Sequence, residues 1–148
     1  MNIAPHSELP HADQLMHVGL KAFFNIAAAW RLQPDQEMVL LGITDLPMFH
    51  AWKQNPMSAT VSTDTLERIS SILGIYKALQ ILFPDSNQAD DWIHRPNTNA
   101  LFAGKPALNR MLSGHLADLL LVRQYLDAQC GGESNAESEI RSTDSTHR

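Results

Sequence analysis

Residues 66–83 read LERISSILGIYKALQILF. Apolar side chains stand at 66, 69, 72, 73, 75, 76, 79, 81, 82 and 83, and no proline interrupts the run. The first half has the spacing of one helix face. The second half is apolar over more than one face. A small domain has room to bury one side of a helix. A helix that is apolar most of the way round must be central, or be covered by a second chain. Gly74 stands in the middle, where glycine costs about 1 kcal/mol relative to alanine. Either the helix breaks there or another backbone comes close. We read one long helix, bent at Gly74, with Leu66, Ile69 and Leu73 facing the local core.

Working back from this stretch, Ser62 or Thr63 suits its N-cap. Residues 55–61 form a connector and the best internal boundary. Before it, the spacing predicts a helix from about His11 or Ala12 to Trp30, with Leu15, Met16, Leu20, Phe23, Phe24, Ala27 and Trp30 on its apolar side. His17 and Asn25 are expected on the wet side. Residues 34–41 form a second helix: Pro34 suits a first turn, Asp35 and Glu37 favour the positive helix end, and Gly42 is a stop. A third runs from Leu46 to about Gln54, with Pro47 in its first turn and Phe49 and Trp52 inward. Two short helices around a Gly-containing turn give the outline of a helix-turn-helix. Arg31 and Lys53 stand against Asp35, Glu37 and Asp45, so the segment lacks the basic surface that phosphate contacts require.

Working forward, Pro84-Asp85-Ser86 stops the long helix. A short helix is expected over 87–94, then a turn-rich link and a tight corner over 101–106. Pro106 opens a small helix to Met111. The last helix spans about 115–128, with Leu116, Leu119, Leu120, Val122, Arg123 and Leu126 along one broad side. No segment shows strand alternation, so the fold class is all-α. We divide the chain into a flexible leader at 1–11, a helix-turn-helix-like domain at 12–56, a second helical domain at 62–130 and a polar tail at 131–148. That tail holds one large apolar residue and is expected to be disordered in the isolated protein.

Composition excludes several classes of function. The formal net charge is −5, so the whole protein is no general polyanion binder. A single cysteine, Cys130, rules out an internal disulfide and a Cys-rich zinc site. The first residues lack the basic start and apolar core of a signal peptide, and no run reaches membrane-span length. A cytoplasmic location is the expectation. The seven histidines are scattered without a metal-ligand spacing. No GxSxG elbow holds a nucleophile. Cys130 follows a helix, an end whose dipole does not activate a thiol. No enzyme activity, cofactor or metal is expected, and binding remains.

An ordered series of motifs resembles the Xre/MbcA/ParS antitoxins over about residues 15–130. Trp30-Arg31-Leu32-Gln33-Pro34-Asp35-Gln36-Glu37, then Leu40-Leu41-Gly42 and Trp52, is similar to their N-terminal part. Leu66-Glu67-Arg68-Ile69, Gly74-Ile75-Tyr76-Lys77-Ala78-Leu79 and Leu82-Phe83 resemble the start of their toxin-binding domain. Trp92-Ile93, Pro96-Asn97, Phe102-Ala103-Gly104-Lys105-Pro106, Met111-Leu112-Ser113-Gly114 and Val122-Arg123-Gln124-Tyr125-Leu126-Asp127 continue it in the same order.

The resemblance implies a non-catalytic antitoxin. It would bind a RES-domain toxin that degrades NAD, cover access to its active site, and regulate its own promoter through the helix-turn-helix. It would act as a dimer within a larger toxin–antitoxin complex. Thr44, Asp45, Met48, His50 and Lys53 are the candidate DNA contacts. Ile75, Tyr76, Leu79, Arg123 and Tyr125 are the candidates for the toxin or oligomer interface. The presumed recognition helix departs from the pattern in offering little besides His50, Lys53 and Gln54 for phosphates or bases. The alternative is a DNA-binding regulator or helical adaptor without a toxin partner.

Overall fold

The computed structural model describes the backbone of residues 3–131 and the side chains of residues 14–131. The expected disorder of the tail falls on 132–148, outside the described residues. The described chain is helical, with no strand and a single isolated bridge between Pro96 and Pro106. It forms two compact units that meet in sequence between Leu73 and Gly74.

The first unit starts with α1, Ile3–Ala29. The helix begins ahead of the start expected near His11, because apolar spacing alone does not mark where it enters. Leu20, Phe23, Ala27 and Trp30 are buried from this end of the chain. His17 departs from the expected wet side: its Nε2 lies 3.2 Å from the Ala59 carbonyl, and the ring is half-buried. Helix α2, Pro34–Leu41, follows, with Pro34 in its first turn. The Gln33 N–H donates to Gln36 Oε1 at 2.8 Å, which satisfies one orphan donor at the helix start. Gly42 ends α2 at φ 73. The Gly42 N–H donates to Val39 O and the Ile43 N–H to Met38 O, both at 3.1 Å. This is a Schellman closure, and it needs the left-handed residue that glycine supplies.

Helix α3, Leu46–Gln54, is capped by Asp45, whose carboxylate accepts from the Met48 N–H at 3.0 Å. It buries Phe49 and Trp52, as the spacing predicts. The Phe24 ring meets Phe23 and Phe49 edge-on, at 5.4 and 6.0 Å. A one-turn 3-10 helix, Pro56–Ser58, leads to buried Ala59 and Val61.

The quoted stretch forms α4, Thr63–Leu82, unbroken through Gly74. Ser62 Oγ accepts from the Thr65 N–H at 3.1 Å and so caps it. The buried Thr65 hydroxyl donates to Leu41 O at 2.9 Å, closing a carbonyl that the end of α2 leaves open. Ile69 and Ile72 are fully enclosed, while Leu66 and Leu73 are half-buried. Gly74 departs from expectation in its reason. A methyl group there would lie 2.4 Å from Arg123 Nε. The nearest neighbours are side-chain atoms of Arg123, its guanidinium group and Cδ, and not backbone.

The second unit takes the rest of α4 with α5 (Ser86–Asp91), a 3-10 turn (Trp92–His94), α6 (Ala107–Met111) and α7 (Leu116–Gly131). Asp85 caps α5 by accepting from the Asn87 N–H at 2.9 Å. The single helix expected over 87–94 is therefore an α-helix that tightens into a 3-10 turn. Residues 97–105 form a loop tied to itself. The Gly104 N–H donates to Asn97 O at 2.8 Å, and the Asn97 and Asn99 side chains accept from the backbone N–H groups two residues on, both at 2.9 Å. Arg110 fastens this loop to α7: one guanidinium nitrogen donates to Leu101 O at 3.0 Å and the other meets Asp118 Oδ1 at 3.1 Å. Ile75, Ala78, Leu79, Ala89, Ile93, Phe102, Ala107, Leu108, Met111, Leu119, Val122 and Leu126 are the buried apolar set.

Candidate partner-binding faces

Two surfaces carry the candidate residues, one in each unit. In the second unit, α7 has two apolar sides. Leu119, Val122 and Leu126 point inward at helical spacing. Ala117, Leu120, Leu121, Gln124, Asp127 and Ala128 are exposed, also at helical spacing, and form a continuous outer stripe. Leu120 keeps 41% of its surface in solvent and Leu121 39%. Leu120 is thus not on the inner side where the sequence reading put it. The inner stripe is already complete at 119, 122 and 126, and one step of 100° from Leu119 turns residue 120 outward.

Arg123 and Tyr125 flank that stripe. Arg123 lies across Gly74, and its Nε is 3.4 Å from Asp127 Oδ2. The side chain can lie flat against α4 because Gly74 has no Cβ. Tyr125 is held in an aromatic group. It stacks on Trp92 with centroids 6.3 Å apart and planes at 19°, and meets Phe102 edge-on at 5.6 Å. Trp92 and Phe102 also meet edge-on, at 5.8 Å. Burial pushes the Tyr125 hydroxyl above its ordinary pKa. The structure thus brings three aromatic residues of separate elements together, fixing the Trp92–His94 turn and the 97–105 loop against α7.

The remaining members of this candidate set divide. Tyr76 is half-buried. Ile75 and Leu79 are fully enclosed, so in this state they pack the interior and offer nothing to a partner. Cys130 Sγ lies 3.6 Å from the Ala78 carbonyl, at the inner side of α7.

In the first unit, the candidate DNA contacts surround the start and outer side of α3. Thr44 and His50 are exposed, and Met48 is half-buried. Asp45 is committed to capping α3. Lys53 is committed too. Its Nζ lies 2.8 Å from Glu37 Oε1, and Glu37 is 95% buried at its side chain with this lysine as its ion-pair partner. The same ammonium stands 5.5 Å from the Phe49 ring centre and 5.8 Å from that of Phe24. The lysine that sequence offers as a phosphate contact therefore has a structural task. Among the described residues, no group of three or more His, Cys, Asp or Glu could hold a metal ion, and no helix is long and apolar enough to cross a membrane.

Residues 78–132 match the family described as the antitoxin Xre/MbcA/ParS C-terminal toxin-binding domain. The chain carries an Xre/MbcA/ParS-type toxin-binding domain. The protein y4oB of Sinorhizobium fredii (strain NBRC 101917 / NGR234) is 50% identical over 113 residues, a span of 76% of this chain and 84% of that protein. The two chains belong to one family. The matched domain is a regulatory, toxin-binding module and not a catalytic one, and it contains the whole of α7 with its exposed leucines.

Sequence reasoning missed Leu120 and Leu121 as a surface. The signal was present: α7 has more leucines than one helix face can hold. It also missed the Trp92–Phe102–Tyr125 group, whose members are far apart in the chain and have no common spacing.

Proposed function

We propose that this chain is the antitoxin of a RES-domain toxin that degrades NAD, and that it silences the toxin by covering the entrance to its active site. The observation that carries this reading is the pair of exposed leucines on α7, Leu120 and Leu121, within the matched toxin-binding domain. Apolar side chains held outward on a helix are suited to a partner's cleft. Arg123 and Tyr125 beside them supply a charged and an aromatic contact, two residue types enriched where binding energy concentrates. In this reading residues 62–130 form the toxin-binding and oligomerisation domain. The chain works as a dimer within a larger cytoplasmic complex.

The test is co-expression with the product of the neighbouring gene, which this reading expects to be a RES-domain protein. The expected result is restored growth, preserved cellular NAD and co-purification of the two chains. A toxin that still depletes NAD in the presence of this chain, and does not co-purify with it, refutes the proposal.

Autoregulation of the operon is the second part of the reading. It is favoured by the α2–turn–α3 corner with its glycine closure at Gly42. Residues 12–56 would form the DNA-binding domain, with Thr44, Met48 and His50 as the contacts that are not already committed. A promoter fragment should be shifted by the complex, and raising salt from 50 to 200 mM should weaken the shift. No shift at low salt, with or without toxin, rejects this part and leaves a helical adaptor for a protein partner.

A further inference from the structure

The first unit has a groove that lies outside the matched toxin-binding domain. It runs between α1 and the segment from Lys53 to Met57, and its volume is about 440 Å³. Val18, Phe24 and Met57 make its apolar lining. His17, Lys21 and Lys53 are its basic groups, and among the described residues no carboxylate lines it. In a chain of net charge −5, that local balance runs against the whole.

Two further observations single it out. The three most exposed large apolar side chains among the described residues are Leu15 at 70%, Met57 at 64% and Val18 at 62%. Val18 and Met57 line the groove, and Leu15 lies one turn before Val18 on α1. The apolar lining therefore extends onto an open face and does not end at the groove's rim. Secondly, the basic groups are not equivalent. Lys53 is held by Glu37, whereas Lys21 is exposed and has no acidic partner among the described residues. Its neighbours one turn away on α1 are His17, Val18, Phe24 and Asn25, which include no acid.

We infer that this groove docks an acidic amphipathic peptide segment of a partner protein, whose apolar side chains enter between Val18, Phe24 and Met57 and whose carboxylates meet Lys21. The mostly apolar lining argues against a phosphate backbone, which would need more cations and no greasy floor. Charge complementarity selects an acidic partner over a basic one. The cavity is large enough for one or two large side chains and too open to enclose a small molecule.

The test uses the full chain and two fluorescein-labelled synthetic helices, one built from Leu and Glu at amphipathic spacing, and its twin with Lys in place of Glu. Fluorescence anisotropy should show saturable binding of the acidic peptide and at least tenfold weaker binding of its twin. Lys21→Glu and Met57→Asp should each weaken the acidic peptide by tenfold or more. Leu46→Asp, at an exposed apolar site away from the groove, should leave it unchanged. Circular dichroism checks that each variant is folded, and the two groove substitutions at exposed positions provide independent arms. Equal binding of both peptides, no binding, or binding unaffected by both groove variants overturns the inference. A DNA duplex whose binding is lost with Lys21→Glu but kept with Met57→Asp also overturns it. So does loss of self-association in Met57→Asp on sedimentation, which would assign the face to a second copy of this chain. None of these outcomes bears on toxin neutralisation, which rests on residues 78–132.

Discussion

Leu119 and Leu120 are adjacent, and the structure gives them opposite work. Leu119 is 1% exposed, and Leu120 and Leu121 keep about two-fifths of their surface in solvent. Fully burying a leucine side chain is worth about 1.5–3 kcal/mol. What remains to be buried on each outer leucine is therefore worth about 1 kcal/mol, and the pair about 2 kcal/mol. At about 1.4 kcal/mol per factor of ten, Leu120→Ala with Leu121→Ala should raise the Kd for the toxin roughly thirtyfold. About three-fifths of each outer leucine is already covered within the fold, so the same double substitution should also cost about 2–3 kcal/mol of unfolding free energy, about 1–1.5 kcal/mol per residue. Leu119→Ala is the counterpart. It opens a cavity beside Val122 and Leu126 and should cost about 2–5 kcal/mol of stability. The assays are calorimetric titration with a catalytically inactive toxin and urea unfolding of the antitoxin alone. A double variant that is folded and binds within twofold of the parent refutes the assignment of this stripe to the partner. A single Leu120→Ala variant that loses as much stability as Leu119→Ala refutes the inside–outside division of α7.

Further outcomes follow from other contacts. Gly42→Ala should destabilise by about 1–3 kcal/mol in urea unfolding, since φ 73 strains an L-residue and the new methyl would meet Arg68 Nε at 2.5 Å; Arg68→Ala in that background should recover the steric part alone. Lys53→Ala leaves the buried Glu37 carboxylate without its ion-pair partner and should cost about 2 kcal/mol, with Lys53→Arg recovering most of the loss. The Tyr125 hydroxyl has a folded-state pKa above 10.0, so the folded state keeps its proton more tightly than the unfolded chain. The stabilisation is fully present below pH 10 and should fall as pH rises through the folded value; Tyr125→Phe should flatten that fall, and absorbance near 295 nm should show one late-titrating tyrosine that is lost in the variant.

Much of the architecture was legible because local chemistry writes it directly. Pro34 and Pro47 mark first turns, Gly42 marks a stop, and Ser62 caps α4. These signals act within four residues and need no tertiary partner. Fold class followed from helical spacing and the absence of alternation. The ends of α1 and the 3-10 tightening after Asp91 were less legible, since apolar spacing says which side is buried and not where the helix begins or narrows.

The kind of domain was legible in the sequence, and the burial of its candidate residues was not. Arg123 and Tyr125 lie on a face that stays accessible, but Ile75 and Leu79 are enclosed. Apolar excess identifies residues that need cover, and it cannot say whether the cover is the same chain or another. Leu120 shows the opposite error, since a leucine next to the inner stripe reads as part of it. Lys53 and Asp45 read as free charges, and tertiary and capping contacts use both.

The sequence by itself determined an all-helical chain, its turn positions and the likeness to a toxin-binding domain, because periodicity and capping are local properties. Only the tertiary structure decided which of two apolar faces of α7 is left over, and why Gly74 is a glycine. Both depend on what another helix places opposite, and for Gly74 that neighbour is the Arg123 side chain, forty-nine residues further along.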